Sequence, residues 1–365
     1  MRSRGTAEYT PTMDRTLARA SGLSRVLAVV AVVAMVAACS SPAPASSAPS
    51  SSPGATETPA QTAPPTETSA PTTPALPTPT PVPAISFTAK QSTAHLSKPL
   101  TRAAAFASGS QILIVGGLTA AGTTASVTAF DPVAGTFTDL GKLKHAVHDA
   151  AAGVLGDQML VIGGGDKIAG VWVQAVAADG SVTNEGALPR ARADLGAATV
   201  GNQLIVAGGG INPNVDTQVL ATSDGVTFTV VTKLVQGVRY PAVAAMNGKV
   251  YVIGGQIGTG DTDTVQIVDL ATGTVTIGKP LAGAISQSTA LVIGGAILVM
   301  GGFHNRKWSS LIQRIDPQDG TVTTVGQLPY KVADAAGVVV DGTGYLIGGE
   351  NKNFLDSIIV VSPGT

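Results

Sequence analysis

Short apolar runs separated by turn residues follow one another through most of the chain. The stretch Arg239–Thr276 shows the unit: four runs of strand length, with Asn247-Gly248 between the first two and Thr272-Gly273 between the last two. Such pairs accept the positive φ that tight hairpin connections need. Each unit therefore predicts four antiparallel strands, which we name a to d, and no segment of this region shows a helical period.

A glycine pair ends strand b in every unit. The first glycines are Gly116, Gly163, Gly208, Gly254, Gly301 and Gly348. Their intervals of 47, 45, 46, 47 and 47 residues are typical of propeller repeats. The last unit stops after strand c, and Ile85–Thr88 aligns with the strands d of other units. The sequence thus predicts an all-β, six-bladed propeller over residues 84–365, closed by an N-terminal strand.

Residues 1–38 have the pattern of a lipoprotein signal peptide. Several arginines precede the apolar run Val26–Ala38, which is too short to span a bilayer but suits the core of a signal peptide. The run ends in Val-Ala-Ala before Cys39, which resembles the bacterial lipobox, and Met13 is an alternative start. We expect lipidation of Cys39, an exported protein, and a cell-membrane or outer-membrane anchor; an ordinary secretory signal is the alternative.

Composition separates the anchor from the propeller. Residues 39–83 consist almost wholly of Ser, Pro, Thr and Ala, so they bury too little apolar area to fold and predict a disordered stalk. Aromatic residues make up only 4% of the chain, so the cores must be built from Val, Ile, Leu and Ala. The chain has a net charge of -1 and lacks the basic surplus that a nucleic-acid-binding protein needs.

The repeat resembles the kelch family. The glycine pair occurs six times, and the tyrosine three residues before it occurs as Tyr251 and Tyr345, whereas Phe or Val replaces the usual tryptophan of strand d. The resemblance implies a propeller that acts as a binding or interaction module. It extends to bacterial six-bladed kelch proteins that act as sialic acid mutarotases, so a sugar mutarotase or epimerase is the alternative function.

One position in each repeat, fourteen residues before the glycine pair, is polar or amphipathic. It is occupied around the ring by Arg102, Asp149, Asp194, Tyr240, Gln287 and Asp334. We expect these residues to begin strand a and to face the mouth of the central channel. They would either pair across blades and satisfy backbone groups or form a site for a carbohydrate or protein ligand.

Further candidates lie in the b–c loop of blade 5. His304, Arg306 and Trp308 would overhang the mouth, where an aromatic ring stacks on a sugar face; local packing of Trp308 is the alternative. If the protein is an enzyme, Asp149 and Asp194 are the best acid–base pair.

Metal and cofactor chemistry is not expected. The copper site of the kelch enzyme galactose oxidase needs a Tyr crosslinked to Cys, and the only cysteine here is Cys39. Gly163-Gly164-Gly165-Asp166-Lys167 lacks the spacing of a phosphate-binding P-loop, so its glycines indicate backbone geometry or close blade packing.

Overall fold

The computed structural model describes residues 86–258, 260–304 and 307–364. The signal peptide, Cys39, the stalk, Ile85 and Arg306 lie outside these residues. Every regular element within them is a β-strand, which confirms the all-β prediction. None of the described residues belongs to a helix long and apolar enough to cross a membrane.

The described strands form six four-stranded antiparallel blades, each in the order a-b-c-d. The N-terminal strand β1 (Phe87–His95) precedes blade 1. Blade 1 contains β2 (Ala104–Ser108), β3 (Gln111–Val115), β6 (Ser126–Asp131) and β7 (Thr136–Lys142), with a b–c hairpin of β4 (Leu118–Thr119) and β5 (Gly122–Thr123). Blade 2 contains β8 (Ala151–Leu155), β9 (Gln158–Ile162), β10 (Trp172–Val176) and β11 (Val182–Ala187). Blade 3 contains β12 (Ala193–Val200), β13 (Gln203–Ile211), β15 (Gln218–Thr222) and β16 (Thr229–Lys233), with β14 (Asn214–Val215) paired to the end of β13.

The second half of the ring repeats this arrangement. Blade 4 contains β17 (Ala242–Met246), β18 (Lys249–Ile253), β21 (Val265–Asp269) and β22 (Thr274–Ile277), with a hairpin of β19 (Gln256–Ile257) and β20 (Gly260–Asp261). Blade 5 contains β23 (Thr289–Ile293), β24 (Ala296–Met300), β27 (Leu311–Ile315) and β28 (Val322–Gln327), with a hairpin of β25 (Phe303–His304) and β26 (Lys307–Trp308). Blade 6 contains β29 (Ala336–Val340), β30 (Thr343–Ile347) and β31 (Ser357–Pro363).

Blade 6 is completed by β1, as the sequence predicts. β1 pairs antiparallel with β31, with Phe87 opposite Pro363 and Gln91 opposite Ile359. The strand is longer than the predicted Ile85–Thr88, because the pairing continues past an irregularity to His95, which lies opposite Ser357. The ring is thus closed by hydrogen bonds between the two ends of the domain, which leaves no open sheet edge on β31.

In the described part of the chain, one apolar cluster fills each interface between neighbouring blades. The cluster between blades 3 and 4, for example, contains Ile205, Val219, Val250 and Val252, all fully buried. The other clusters also consist mainly of Val, Ile, Leu and Ala, which confirms the prediction from composition. Each fully buried Val, Ile or Leu side chain contributes about 1.5–3 kcal/mol, and each alanine less.

The glycine pairs join neighbouring blades. In blade 4, Gly254 has a φ of 60° and Gly255 a φ of 102°. The Gly255 amide donates a hydrogen bond of 2.8 Å to the carbonyl of Ile285, in the loop that leads to blade 5. A Cβ on Gly254 would lie 2.3 Å from that same oxygen. The equivalent contact occurs in all six repeats, which confirms the interpretation of these glycines as packing positions rather than a phosphate loop.

Candidate functional site

The six polar positions form a closed ring at one end of the propeller axis; we call them the mouth ring. Each has a left-handed backbone, with φ between 53° and 60°. Each backbone amide donates to the carbonyl of the mouth-ring residue in the preceding blade, over 2.9–3.2 Å. The Arg102 amide completes the circle by donating to the Asp334 carbonyl at 3.0 Å.

This geometry corrects the predicted position of the mouth ring. The residues do not begin strand a: in five blades the strand starts two residues later, and in blade 3 it starts at Ala193, before Asp194. A left-handed residue interrupts the extended backbone, so in five blades it turns the chain from the d–a loop into strand a, whereas in blade 3 it is the second residue of β12. Asp is among the residues that accept this conformation most readily, and it occupies three of the six positions.

The mouth-ring side chains surround one cavity of about 150 Å³. Each blade contributes its mouth-ring residue and the residue that follows it in sequence. The six following residues are Ala103, Ala150, Leu195, Pro241, Ser288 and Ala335. An engineered cavity of about this volume holds one six-membered ring. The cavity therefore has the size of a small ligand, with a polar wall and a mainly apolar base.

Arg102 lies at the centre of this wall. Its guanidinium group is 3.2 Å from the Asp149 carboxylate, 3.4 Å from Asp334 and 3.5 Å from Glu350. Its Cζ atom is also 5.9 Å from the ring centroid of Tyr240, in the blade directly opposite. Arg102 thus connects four blades, counting its own.

A second guanidinium group occupies the other side of the mouth. Arg239 pairs with the carboxylate of Asp194, which is 4% exposed. It also donates to the Tyr240 hydroxyl at 3.3 Å and stands 5.1 Å from the centre of that ring. Tyr240 is therefore held between two cations, a favourable position for an aromatic face.

Burial and like charges perturb the acids of the mouth ring. Burial, and then the neighbouring Asp149 carboxylate, raise the pKa of Asp194 to about 7 even though Arg239 opposes the shift. Burial also raises the pKa of Asp334 well above its ordinary value, against the opposing effect of Arg102. The Tyr240 pKa is raised by burial and by the two carboxylates of Asp149 and Asp194. For Arg102, burial acts to lower the pKa, but the surrounding carboxylates outweigh it and raise the pKa overall.

Some polar atoms of the cavity wall have no hydrogen-bond partner. They are Nε of Arg102, Oδ2 of Asp334 and Oγ of Ser288. The first two are 3.4 Å apart but not aligned for a hydrogen bond. All three atoms are buried with almost no accessible surface, so they lie within the wall and do not face a ligand in the cavity.

His304 and Trp308, the described candidates in the b–c loop of blade 5, lie apart from the cavity. Trp308 packs edge-on against Phe303 across its hairpin, with ring centroids 5.6 Å apart. The His304 ring is hydrogen-bonded to the Ala284 carbonyl. As far as described residues go, neither His304 nor Trp308 lines the cavity. The structure therefore brings the six mouth-ring residues together and leaves these two outside the cavity wall.

Arg239, Glu350 and Ser288 also belong to the site, although they are not among the site residues predicted from the sequence. A regular signal exists for two of them. The residue before each mouth-ring position pairs, within its blade, with the first residue after the glycine pair, as Ala333 does with Glu350 and Arg239 with Gln256. Charged residues at these two positions are therefore held beside the mouth ring by the repeat itself.

Within 86–258, 260–304 and 307–364, no group of three or more His, Cys, Asp or Glu residues is arranged to hold a metal ion. His148 lies 3.5 Å from Asp149 and 2.9 Å from the Thr123 hydroxyl, so it belongs to the hydrogen-bonded rim of the mouth.

The model of the kelch motif matches residues 238–282, which cover blade 4 and its glycine pair. A solved structure titled "Structure of YjhT" superposes with a TM-score of 0.64 and covers 74% of this chain and 99% of that chain. The domain is a kelch β-propeller. At 14% identity, the likeness to YjhT concerns the fold of the kelch propeller alone. A search of curated proteins finds no match.

Proposed function

We propose that this kelch propeller is a binding module that recognises a small carbohydrate at its mouth ring. The observation that supports the proposal is the convergence of the six side chains on one cavity of about 150 Å³. A sugar suits this wall because its hydroxyl groups both donate and accept. Carboxylates accept hydrogen bonds from these hydroxyl groups and guanidinium groups donate to them, while the apolar base contacts a C–H face of the sugar.

We also propose that a lipid on Cys39 anchors the exported protein to a membrane.

The binding test is a screen of soluble mono- and disaccharides against the purified protein by calorimetry or ligand-observed NMR. Gln287→Gly removes one mouth-ring side chain, and glycine adopts the positive φ of this position without strain. The matched control is Asn247→Gly, which removes a polar side chain with a φ of 53° from the a–b turn of blade 4, at the other end of the blades. We expect a several-fold weaker Kd for the first variant and no change for the control. Equal affinities in both variants would place the ligand elsewhere.

A sugar mutarotase or epimerase remains the second candidate, and one feature favours it. General acid–base catalysis needs a group whose pKa is near the working pH, and Asp194 has a pKa of about 7 in the wall of the cavity. However, Asp149 and Asp194 are each paired with a guanidinium group, which a free catalytic base is not. The test measures the rate at which the anomers of free sugars interconvert. A rate above that of buffer alone, lost in Asp194→Asn, would establish mutarotase activity. A rate equal to that of buffer alone would exclude this activity for the sugars tested.

A further inference from the structure

Four exposed aliphatic side chains lie in three neighbouring loops on the face of the propeller that carries the mouth. Ile168 is 78% exposed in the b–c loop of blade 2, and Ile211 and Val215 are 53% and 37% exposed in the b–c loop of blade 3. Val235, in the loop from blade 3 to blade 4, is 65% exposed. Among the described residues, no other large apolar side chain in the loops of this face is exposed. We call these four residues the aliphatic platform.

A buried arginine and a glycine contact connect the three loops. Arg192 is 1% exposed, and its amide donates a hydrogen bond of 3.1 Å to the Gly170 carbonyl, in the b–c loop of blade 2. Its guanidinium group pairs at 2.9 Å with Asp216, which follows Val215 in the b–c loop of blade 3. A Cβ on Gly237, in the third loop, would lie 2.8 Å from a methyl carbon of Val215. The platform therefore belongs to one connected surface and not to three independent loops.

The exposed charges beside the platform are mainly positive. Lys167 directly precedes one platform residue, Lys233 stands two residues before another, and Arg190 lies in the loop from blade 2 to blade 3; all three are exposed. Asp166 is the only exposed acid that the described residues place in these loops, since the other acid is the partner of Arg192. The surface thus has three exposed cations against one exposed anion, although the chain as a whole has a net charge of -1.

We propose that the aliphatic platform docks the propeller on an anionic lipid surface. Its side chains enter the boundary between headgroups and acyl chains, and the three cations lie at the lipid phosphates. Binding at such a boundary combines buried apolar area with attraction to anionic lipids. Each lysine or arginine near the surface strengthens binding by about five-fold.

The residue types favour lipid over a protein partner. The centres of protein interfaces are enriched in tryptophan, tyrosine and arginine that fill pockets, and valine is under-represented there. The platform consists only of isoleucine and valine, and its two most exposed side chains stand at loop tips instead of lining a groove. A fluid lipid surface accepts such side chains because it needs apolar area and no matching shape.

The platform gives the proposed lipid on Cys39 a second membrane contact. One weak membrane signal gives reversible binding, whereas two signals together hold a protein stably. The acyl group keeps the propeller near the membrane, so even a weak platform is occupied at the high local concentration that a tether provides. The docking itself depends neither on the lipid nor on the proposed sugar.

The test uses the mature chain from residue 39 with Cys39→Ser, so that neither a lipid nor the signal peptide contributes to binding. Residues 39–83 contain no lysine or arginine, so attraction to anionic lipid must come from the propeller. Cosedimentation is measured with phosphatidylcholine vesicles that contain about one-third phosphatidylglycerol or none. We expect at least ten-fold stronger partitioning onto the anionic vesicles, and loss of this preference at about 1 M salt, where charges are screened beyond about 3 Å.

Variants assign the binding to the platform. Ile168→Ser and Ile211→Ser should each weaken partitioning by about five- to ten-fold, because each removes an aliphatic side chain from the contact. Val133→Ser is the matched control, since Val133 is 92% exposed in the c–d turn of blade 1, at the other end of the blades. Lys167→Gln should cost about five-fold on anionic vesicles, and Lys249→Gln, in the a–b turn of blade 4, should cost nothing.

Three results would overturn the proposal. The first is the absence of partitioning onto the anionic vesicles. The second is equal partitioning of Ile168→Ser and Val133→Ser, which would leave only a general charge effect. The third is self-association of the unlipidated chain in sedimentation equilibrium that Ile168→Ser abolishes, because the platform would then be a contact between two copies. The sugar screen is carried out without vesicles, so its outcome stays independent of all three.

Discussion

Replacement of Arg102 by glutamine is the sharpest test of how the mouth is held together. Arg102 is 20% exposed and lies 3.2–3.5 Å from three carboxylates. Glutamine removes the charge but keeps a polar side chain. It is also compatible with the backbone, because Gln287 occupies the equivalent position of blade 5 with the same φ of 57°. Arg102→Gln therefore isolates the electrostatic role of the guanidinium group.

The magnitude follows from these contacts. A pair of unit charges at about 3.4 Å gains about 5 kcal/mol at an effective dielectric constant of about 20, before the cost of desolvating both groups. Removal of one partner from a buried ion pair typically costs 3–5 kcal/mol. We expect about 3–4 kcal/mol less stability at about pH 8, because three carboxylates then remain without their shared cation.

The loss of stability in Arg102→Gln is expected to increase with pH. Asp194, with a pKa of about 7, and Asp334, with a raised pKa, bind more protons in the folded state than in the unfolded chain. Their favourable contribution is fully present below about pH 4 and is lost as the pH rises through about 7. Removal of Arg102 raises the pKa of Asp334 further, because the guanidinium group opposes the shift. The destabilisation is therefore larger at high pH than at low pH, because a protonated Asp334 no longer needs the cation.

The assay is equilibrium denaturation of both proteins at several pH values. A loss of 3 kcal/mol corresponds to a melting shift of roughly 6–12 °C for a domain of this size. Arg314→Gln is the matched control, since Arg314 is 19% exposed and pairs with Asp316 at 2.8 Å, near the c–d turn. A cost below about 1 kcal/mol for Arg102→Gln, or one that is the same at every pH, would refute the account of the mouth as a charge cluster centred on Arg102.

Three further predictions concern the rest of the molecule. Gly254→Ala should cost about 3 kcal/mol or more, because its Cβ would lie 2.3 Å from a backbone oxygen of the next blade; Gly248→Ala, with positive φ but open space, should cost only about 1 kcal/mol by denaturation. Deletion of residues 40–80 should leave the melting temperature unchanged, whereas deletion of residues 40–91 should expose the edge of blade 6 and cause aggregation or a large loss of stability. Equal melting temperatures would contradict ring closure by the N-terminal strand. Cys39→Ala should release the protein from the membrane fraction or block its processing, and normal processing with retention would show that lipidation is not the anchor.

The repeat pattern was sufficient to predict the blades, since glycine pairs and turn residues mark the ends of strands directly. It was less accurate where pairing between distant segments decides the boundary. The closing strand extends to His95 because Ser357 lies opposite it, and the sequence of Ile85–Thr88 contains no trace of that contact. The same limit applies to Trp308. A tryptophan on a polar loop suggests ligand recognition. The short hairpin of β25 and β26, which places Trp308 against Phe303, is seen only in the structure.

The mouth ring could be found from its spacing, but its conformation could not. The left-handed backbone and the circle of hydrogen bonds depend on carbonyl groups that come from the neighbouring blade. No local pattern around Tyr240 or Gln287 indicates a positive φ, and both side chain types pay a conformational cost there. Arg239 and Glu350 occupy fixed positions of the repeat, but only the fold shows that the pairing of these positions within a blade places them beside the mouth ring.

In the mouth ring, the backbone and the side chains of the same six residues have different roles. Its hydrogen bonds join backbone amides to backbone carbonyls, so the circle places no demand on the side chains beyond tolerance of a left-handed φ. The side chains are accordingly of four chemical kinds, although their backbones are nearly identical. A residue selected only to stabilise this conformation would be glycine or asparagine at every blade. Arginine, tyrosine and glutamine adopt a left-handed φ less readily than either, and the six side chains converge on one cavity. The backbone circle therefore does not explain the identity of these side chains, which fits the proposed binding of a ligand at the mouth.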